Sequence, residues 1–325
     1  MTRATRRAIL AATLAAPALR ARAQGGPAGD WPNRPIRLVI PWPPGGGADT
    51  VGRILAPRVS AILGQTLVIE NRPGAAGSIG ASSAARSAPD GYTVLYDSTG
   101  QAINPYLMQL PFDLWRDLRP VVQTASVPNL LVVTPSMPYR TVADVIAAAK
   151  ARPGGLDFAS SGNGSVQHMA LELFRQAAGI PVNHVPYRGG GPALTDVISG
   201  QINHFFSNAS SSTGFVRAGT IRAIAHTGTG RLAAFPDLPS VGETLPGYEA
   251  TEWNGVFVPA GTPDAIVARL NAAYNDAMEA PEIAERLAGL NVVTRRNTPE
   301  EFAAFIRAEQ ARWSRVIREG HIRIE

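Results

Sequence analysis

The stretch PWPPGGGAD, residues 41–49, decides how this chain is read. It follows an apolar run containing Ile36, Leu38, Val39 and Ile40 and precedes an amphipathic segment that begins near Thr50. A strand that ends in Pro-Pro-Gly-Gly-Gly and feeds a helix lets backbone N–H groups crowd around something negative, because glycine has no Cβ to block approach. The loop is therefore expected to hold a carboxylate. Alone, it could equally be an ordinary tight turn, so what matters is whether the pattern recurs.

It recurs. Residues 67–70 read as a strand, RPGAAG at 72–77 as a second glycine-rich bend, 78–87 as a helix, and Asp90-Gly91 as the turn into a strand at 93–96. This alternation indicates an α/β domain with a largely parallel sheet. Further on, a strand at 156–159 runs into SSGNGS and a helix at 166–178. A strand at 183–186 runs into YRGGG and a helix at 192–199, and 202–206 runs into SNAS and another helix. Several helix N-termini should thus face one crevice at the strand carboxyl ends. Gly46 and Gly164, one from each half, are expected to converge on the same carboxylate.

Between these halves, 104–120 is rich in Pro, Leu and aromatics without periodicity and is expected to be irregular. Short strands are expected at 121–123 and 130–133, flanking a crossing at Ser126-Val127-Pro128. The chain is expected to return near 221–225 and to add a strand at 253–259. Helices should follow at 263–278, at 281–290 and from the cap Thr298 to about 319. Phe302, Phe305, Ile306, Trp313 and Ile317 give the last helix an apolar stripe for the core.

The N-terminus reads as a signal peptide spanning 1–23. Arg3, Arg6 and Arg7 precede an apolar run at 8–19, and Ala21-Arg22-Ala23 offers a cleavage site before Gln24. Adjacent Arg6-Arg7 leaves the twin-arginine and general secretory routes both open. A flexible Gly/Pro lead-in, 24–33, follows. The formal net charge of +5 falls to 0 once the five arginines before Gln24 are removed, which takes away the electrostatic case for a nucleic-acid partner. The chain has no cysteine, so disulfides, thiolate metal sites and a cysteine nucleophile are excluded. A periplasmic location is expected.

Enzymatic motifs fit poorly. Ala76-Gly77-Ser78-Ile79-Gly80 misses the first glycine of the G-x-S-x-G elbow, leaving a secreted hydrolase acting through Ser78 as a distant third reading. Gly162-Asn163-Gly164-Ser165-Val166-Gln167 has Gln where a dinucleotide fingerprint needs its third glycine. His184, His204, His226 and His321 lack metal-ligand spacing. No cofactor, no metal site and no catalytic residue are therefore expected.

WPNRPIRLVIPWPPGGGAD, ENRPGAAGSIGA, DGYTVL, SSGNGSVQH, YRGGGPALTDVISGQI, VRAGTIRAIA and TPEEFAAFIRAE, in this order, resemble the Bug family. These are periplasmic solute-binding receptors of tripartite tricarboxylate transporters. The resemblance implies an α/β, two-lobed type II periplasmic-binding-protein fold, each lobe a mostly parallel sheet flanked by helices, with the ligand cleft between. Lobe I would take 34–125 and 223–325, and lobe II 126–222. The family's first carboxylate-gripping loop falls on Trp42, Pro43, Pro44, Gly45, Gly46, Gly47 and Asp49. Its partner falls on Ser161, Gly162, Asn163, Gly164 and Ser165, with His168 one turn later. A third wall falls on Tyr187, Gly189, Gly190 and Ala193, with Asp196 on the following helix, and Asn208 completes the expected contacts.

Some positions depart from the family pattern. Trp42 stands where Phe or Tyr is more usual, and Asn203 and Ser207 stand where Asp is common, so amine-bearing ligands lose an expected partner. The resemblance implies a monomeric receptor that delivers a small organic acid to membrane permease subunits; a periplasmic sensor could use the same cleft. Micromolar capture needs roughly 8 kcal/mol, whereas one helix terminus offers an anion about 0.3–2 kcal/mol and a hydrogen bond to a charged group nets about 1.5–3 kcal/mol. Loops from both lobes must therefore act together.

Overall fold

The computed structural model describes residues 30–324. The expected signal peptide and residues 24–29 of the lead-in lie outside the described residues. In the first half β1 (Ile36–Ile40), α1 (Gly47–Leu63), β2 (Leu67–Asn71), α2 (Ser78–Ala85) and β3 (Thr93–Ser98) follow one another. Short helices α3 (Gly100–Ile103) and α4 (Leu114–Asp117) lead into β4 (Leu118–Val133). The second half holds α5 (Val142–Ala151), β5 (Leu156–Ser160), α6 (Val166–Ala178), β6 (Val182–Pro186), α7 (Gly190–Ser199), β7 (His204–Asn208), α8 (Ala209–Arg217) and β8 (Arg222–His226). After α9 (Val241–Thr244) come β9 (Thr251–Pro259), α10 (Asp264–Glu279), α11 (Pro281–Ala288) and α12 (Pro299–Glu319).

The strands run in the order β2-β1-β3-β9-β4-β7-β5-β6, with β8 also on β4. β1 pairs in parallel with β2 and β3, and β5 in parallel with β6 and β7. Each lobe therefore has a mostly parallel sheet, and one strand in each runs against the rest: β9 against β3, and β4 against β7 and β8. Because these strands are covered by helices, they read as nearly unbroken apolar runs. Val94, Leu95, Phe205 and Phe206 are all fully buried.

β4 differs from its expected form. In place of two short strands around a crossing, it is one continuous strand of 16 residues. Residues Leu118 to Pro128 pair with β9, and from Asn129 onward the strand pairs with β7 and β8. Pro128 sits where β4 changes partner, a place where the missing N–H costs the ladder little. The crossing is thus made without leaving extended conformation. The expected return near 221–225 falls in β8, which pairs with β4 on the edge opposite β7; the chain rejoins the first sheet only with β9. The 104–120 segment is also more regular than expected, since Asp113 caps α4 by accepting from the Trp115 and Arg116 amides.

The C-terminal helix braces this crossing. Thr298 and Glu301 form a capping box at its start, and its apolar stripe places Phe302, Ile306 and Trp313 in the core. Phe302 meets Trp253 edge-on at 5.5 Å. It also lies so close to Gly255 that any Cβ there would strike its ring, which explains a glycine inside an otherwise bulky strand.

Candidate functional site

β1, β5, β6 and β7 each end at the cleft and each opens a helix. Gly46 is the N-cap of α1, Ser165 of α6, Gly189 of α7 and Asn208 of α8. Between them lies a cavity of about 20 Å³, room for a single water-sized group such as one end of a carboxylate. One side is formed by Trp42, Gly46, Gly47, Ala48 and Ser98, and the other by Ser161, Ser165, Val166, Gln167, Gly190 and Asn208, with Glu252 of β9 between.

The first-turn N–H groups of any helix lack intrahelical partners, and in α1 and α7 no side chain caps them either. These two ends face each other. A Cβ on Gly46 would lie 3.9 Å from the Gly190 nitrogen, and one on Gly191 would lie 2.7 Å from the Pro44 carbonyl oxygen. Gly189, at φ 136°, lets the chain pass the Pro43 ring where any side chain would collide. The bend opposite Gly46 is therefore Gly189-Gly190-Gly191. Gly164, expected in that place, turns at φ 75° toward Asn104 and Met108, and the 161–165 loop reaches the cavity through Ser161 and Ser165.

Next to this cavity a wider hollow of about 610 Å³ opens outward. It shares Trp42 and Ser161 with the inner cavity and is lined also by Pro43, Gly162, Asn163, Tyr187 and Arg188. Gly45 stands at the rim, 4.0 Å from the Gly191 Cα by its hypothetical Cβ. The remaining expected residues act from behind. Ala193 is fully buried in the core. Asp196 accepts from the Tyr187 hydroxyl at 2.7 Å, and burial followed by that carboxylate pushes the phenol up to about 12.

The first helix begins earlier than the expected start near Thr50: α1 starts at Gly47, and Asp49 lies in its first turn. Its carboxylate, on a residue 2% exposed, accepts from the Gly45 amide at 3.0 Å, from Arg53 Nε at 2.9 Å and from Asn71 Nδ2 at 2.9 Å. Burial opposes its ionisation, but the hydrogen bonds from Arg53, Asn71 and Gly45 outweigh it and hold the carboxyl below its usual range. Trp42 is fixed in a similar way: its Nε1 donates to Asp97 at 2.8 Å, and its carbonyl accepts from Asn71.

His168 is 3% exposed and stacks on His184 at 4.0 Å with the rings 8° from parallel. Its Nδ1 accepts from the Gly164 amide at 3.3 Å, while His184 Nε2 lies 2.6 Å from Ser160 Oγ. The pair supports the loop from beneath. Burial lowers His168 to about 3, with His184 adding to the effect, and burial lowers His184 to about 4. A histidine in the unfolded chain titrates near 6.5. Below about pH 6.5 the unfolded chain takes up protons that the folded pair refuses, so stability is lost as pH falls toward 4. Asp97 acts the other way: burial pushes it up to about 6 against hydrogen bonds from Gln101, Trp42 and Ser98, so it adds stability as pH falls through 6. Burial also pushes Glu252 up and lowers His204 and His226; with four histidines against two carboxyls, the melting temperature is expected to fall between pH 6.5 and 4, and less steeply in His184→Gln. Thermal unfolding across that range checks this; an unchanged slope in the variant would assign the effect elsewhere.

Ala48, Ser98, Val166, Gln167 and Glu252 line the cavity without having been expected there. Ser98 carried a readable signal, since β3 also ends in a small polar loop, Ser98-Thr99-Gly100, that opens a helix. Glu252 carried none. Its Oε2 accepts from Gln167 Nε2 at 2.7 Å and its Oε1 from Asn254 Nδ2 at 3.2 Å. Burial pushes the carboxyl up, opposed by hydrogen bonds from Gln167 and Asn254 and by the nearby Asn208 amide, and no cationic side chain helps hold its charge.

Two lobes, each presenting helix N-termini to a shared cleft, have the architecture of a periplasmic solute-binding receptor. The family described as "Tripartite tricarboxylate transporter family receptor" matches residues 51–322, and the chain belongs to it. Protein BugT of Bordetella pertussis is 36% identical over 293 residues, covering 89% of this chain and 90% of that protein. The structure of R. palustris Rpa4515 with adipate is 35% identical with a TM-score of 0.88, covering 90% of this chain and 99% of that one. MatC (Rpa3494) from Rhodopseudomonas palustris with bound malate is 30% identical with a TM-score of 0.82, covering 88% and 100%. The protein is a periplasmic solute-binding receptor of this family.

Proposed function

We propose that this receptor captures a small carboxylate-bearing organic acid between its lobes and delivers it to the permease subunits of a tripartite tricarboxylate-type transporter. The observation that carries the reading is the cavity bounded by the uncapped N-termini of α1 and α7 and the capped N-termini of α6 and α8. N–H groups and helix dipoles gathered in this way favour an anion. Adipate and malate in two related structures support the same chemistry. Trp42, Gly46, Gly47, Ser161, Ser165, Gly190 and Asn208 would touch the acid, and Asp49, His168 and Asp196 would hold the surrounding loops. The lobes would divide at the change of partner in β4, with lobe II extending through β8, and an N-terminal signal peptide would direct export.

A thermal-shift panel of dicarboxylates and aromatic acids tests capture. At a hundredfold excess over Kd, a binding acid is expected to add about 2.7 kcal/mol of stability, while neutral sugars and free amines add none. Stabilisation by none of the acids would remove the carboxylate reading. Uptake of the labelled acid by a strain lacking the receptor tests delivery, since a sensor could be lost without loss of transport.

A further inference from the structure

Among the described residues, Glu252 is the one acid lining a cavity otherwise built to attract anions. It is 6% exposed, and the partners it holds, Gln167 and Asn254, are neutral amides. Beside it Asn208, 4% exposed, brings its Nδ2 near the same carboxylate without reaching hydrogen-bond geometry, and a buried donor left unsatisfied is costly unless a ligand meets it. An acid held among the helix ends brings its charge close to a second, fixed negative charge, which disfavours it. A hydroxyl or ammonium on the carbon next to the carboxylate reverses that: the carboxylate accepts from the amides, including Asn208 Nδ2, while the neighbouring donor faces Glu252.

We propose that Glu252 is a specificity-determining residue, selecting acids that carry a hydrogen-bond donor beside the carboxylate over the same acids without one. This role rests on the carboxylate-receptor reading.

Isothermal titration calorimetry with matched pairs tests it: succinate and malate, adipate and 2-hydroxyadipate, phenylacetate and mandelate. In each pair that binds, the hydroxy acid is expected to bind at least about tenfold tighter, a difference of about 1.4 kcal/mol. Glu252→Gln is expected to bring the ratio below about threefold. The variant has room to pair, because Asn254 Oδ1 has no partner and a half-turn of that amide lets it accept from the new NH2 group. Its melting curve checks folding, and the wild-type ratio decides the matter if it fails to fold. Equal binding within the wild-type pairs, or a preference that survives in the variant, overturns the role of Glu252. Binding by none of the acids counts against the carboxylate reading itself.

Discussion

Purified Gly191→Val protein is expected to melt within a few degrees of the parent yet show no upward shift with any acid that stabilises the parent. Gly191 lies in the first turn of α7 and has no positive φ, so a side chain strains the local backbone little. Valine in place of glycine is mildly favourable to a helix. The obstacle is across the cleft, where a Cβ would stand 2.7 Å from the Pro44 carbonyl oxygen and 3.6 Å from the Gly45 carbonyl carbon. Those are backbone atoms of a proline- and glycine-rich loop, and the branched methyls of valine extend the clash further. Binding that needs the two glycine bends together should weaken by at least about a hundredfold, roughly 2.7 kcal/mol, as read by calorimetry. An unchanged ligand-induced shift would mean that this rim does not close on the ligand.

The second large effect is expected at Asp49. Alanine there takes an acceptor from the Gly45 amide and from Asn71, which keeps its bond to the Trp42 carbonyl; because Gly45 is exposed and Asn71 half-buried, water meets part of the loss, leaving about 1–2 kcal/mol. The Arg53 pair adds little, because its guanidinium is half exposed and solvent screens it. That loss of about 1–2 kcal/mol, seen as a melting point lower by roughly 2–5 °C, should be joined by at least tenfold weaker acid binding, because the 43–47 loop loses the carboxylate that shapes it. Stability lost with affinity intact would show that the loop keeps its form without this brace.

The two predictions mark what the sequence could and could not disclose. The strand-loop-helix repeats were legible because glycine and proline at strand ends have few other uses, and they located both halves of the fold and most of the cavity wall. β4 was not, since Pro120 and Pro128 read as breaks while the sheet absorbs them at register shifts and at the change of partner. The opposing bend was identified only to within one loop: a glycine declares that something comes close, but not on which side. Gly164 admits Asn104, whereas Gly189 and Gly191 admit the first loop. Glu252 was invisible because one acid in an apolar strand has no periodic partner, and its place beside Gln167 arises only when the fold brings the start of β9 to the start of α6.

The long shared strands also limit how such a receptor can be taken apart. Since β4 is stitched to β9 along its first stretch and to β7 and β8 along the rest, neither half owns a complete set of strands. Excising one would bare an apolar, unpaired strand edge, the kind of surface that recruits other chains. A chimera exchanging recognition halves with a relative would need its seams beyond that ribbon, leaving the spine whole.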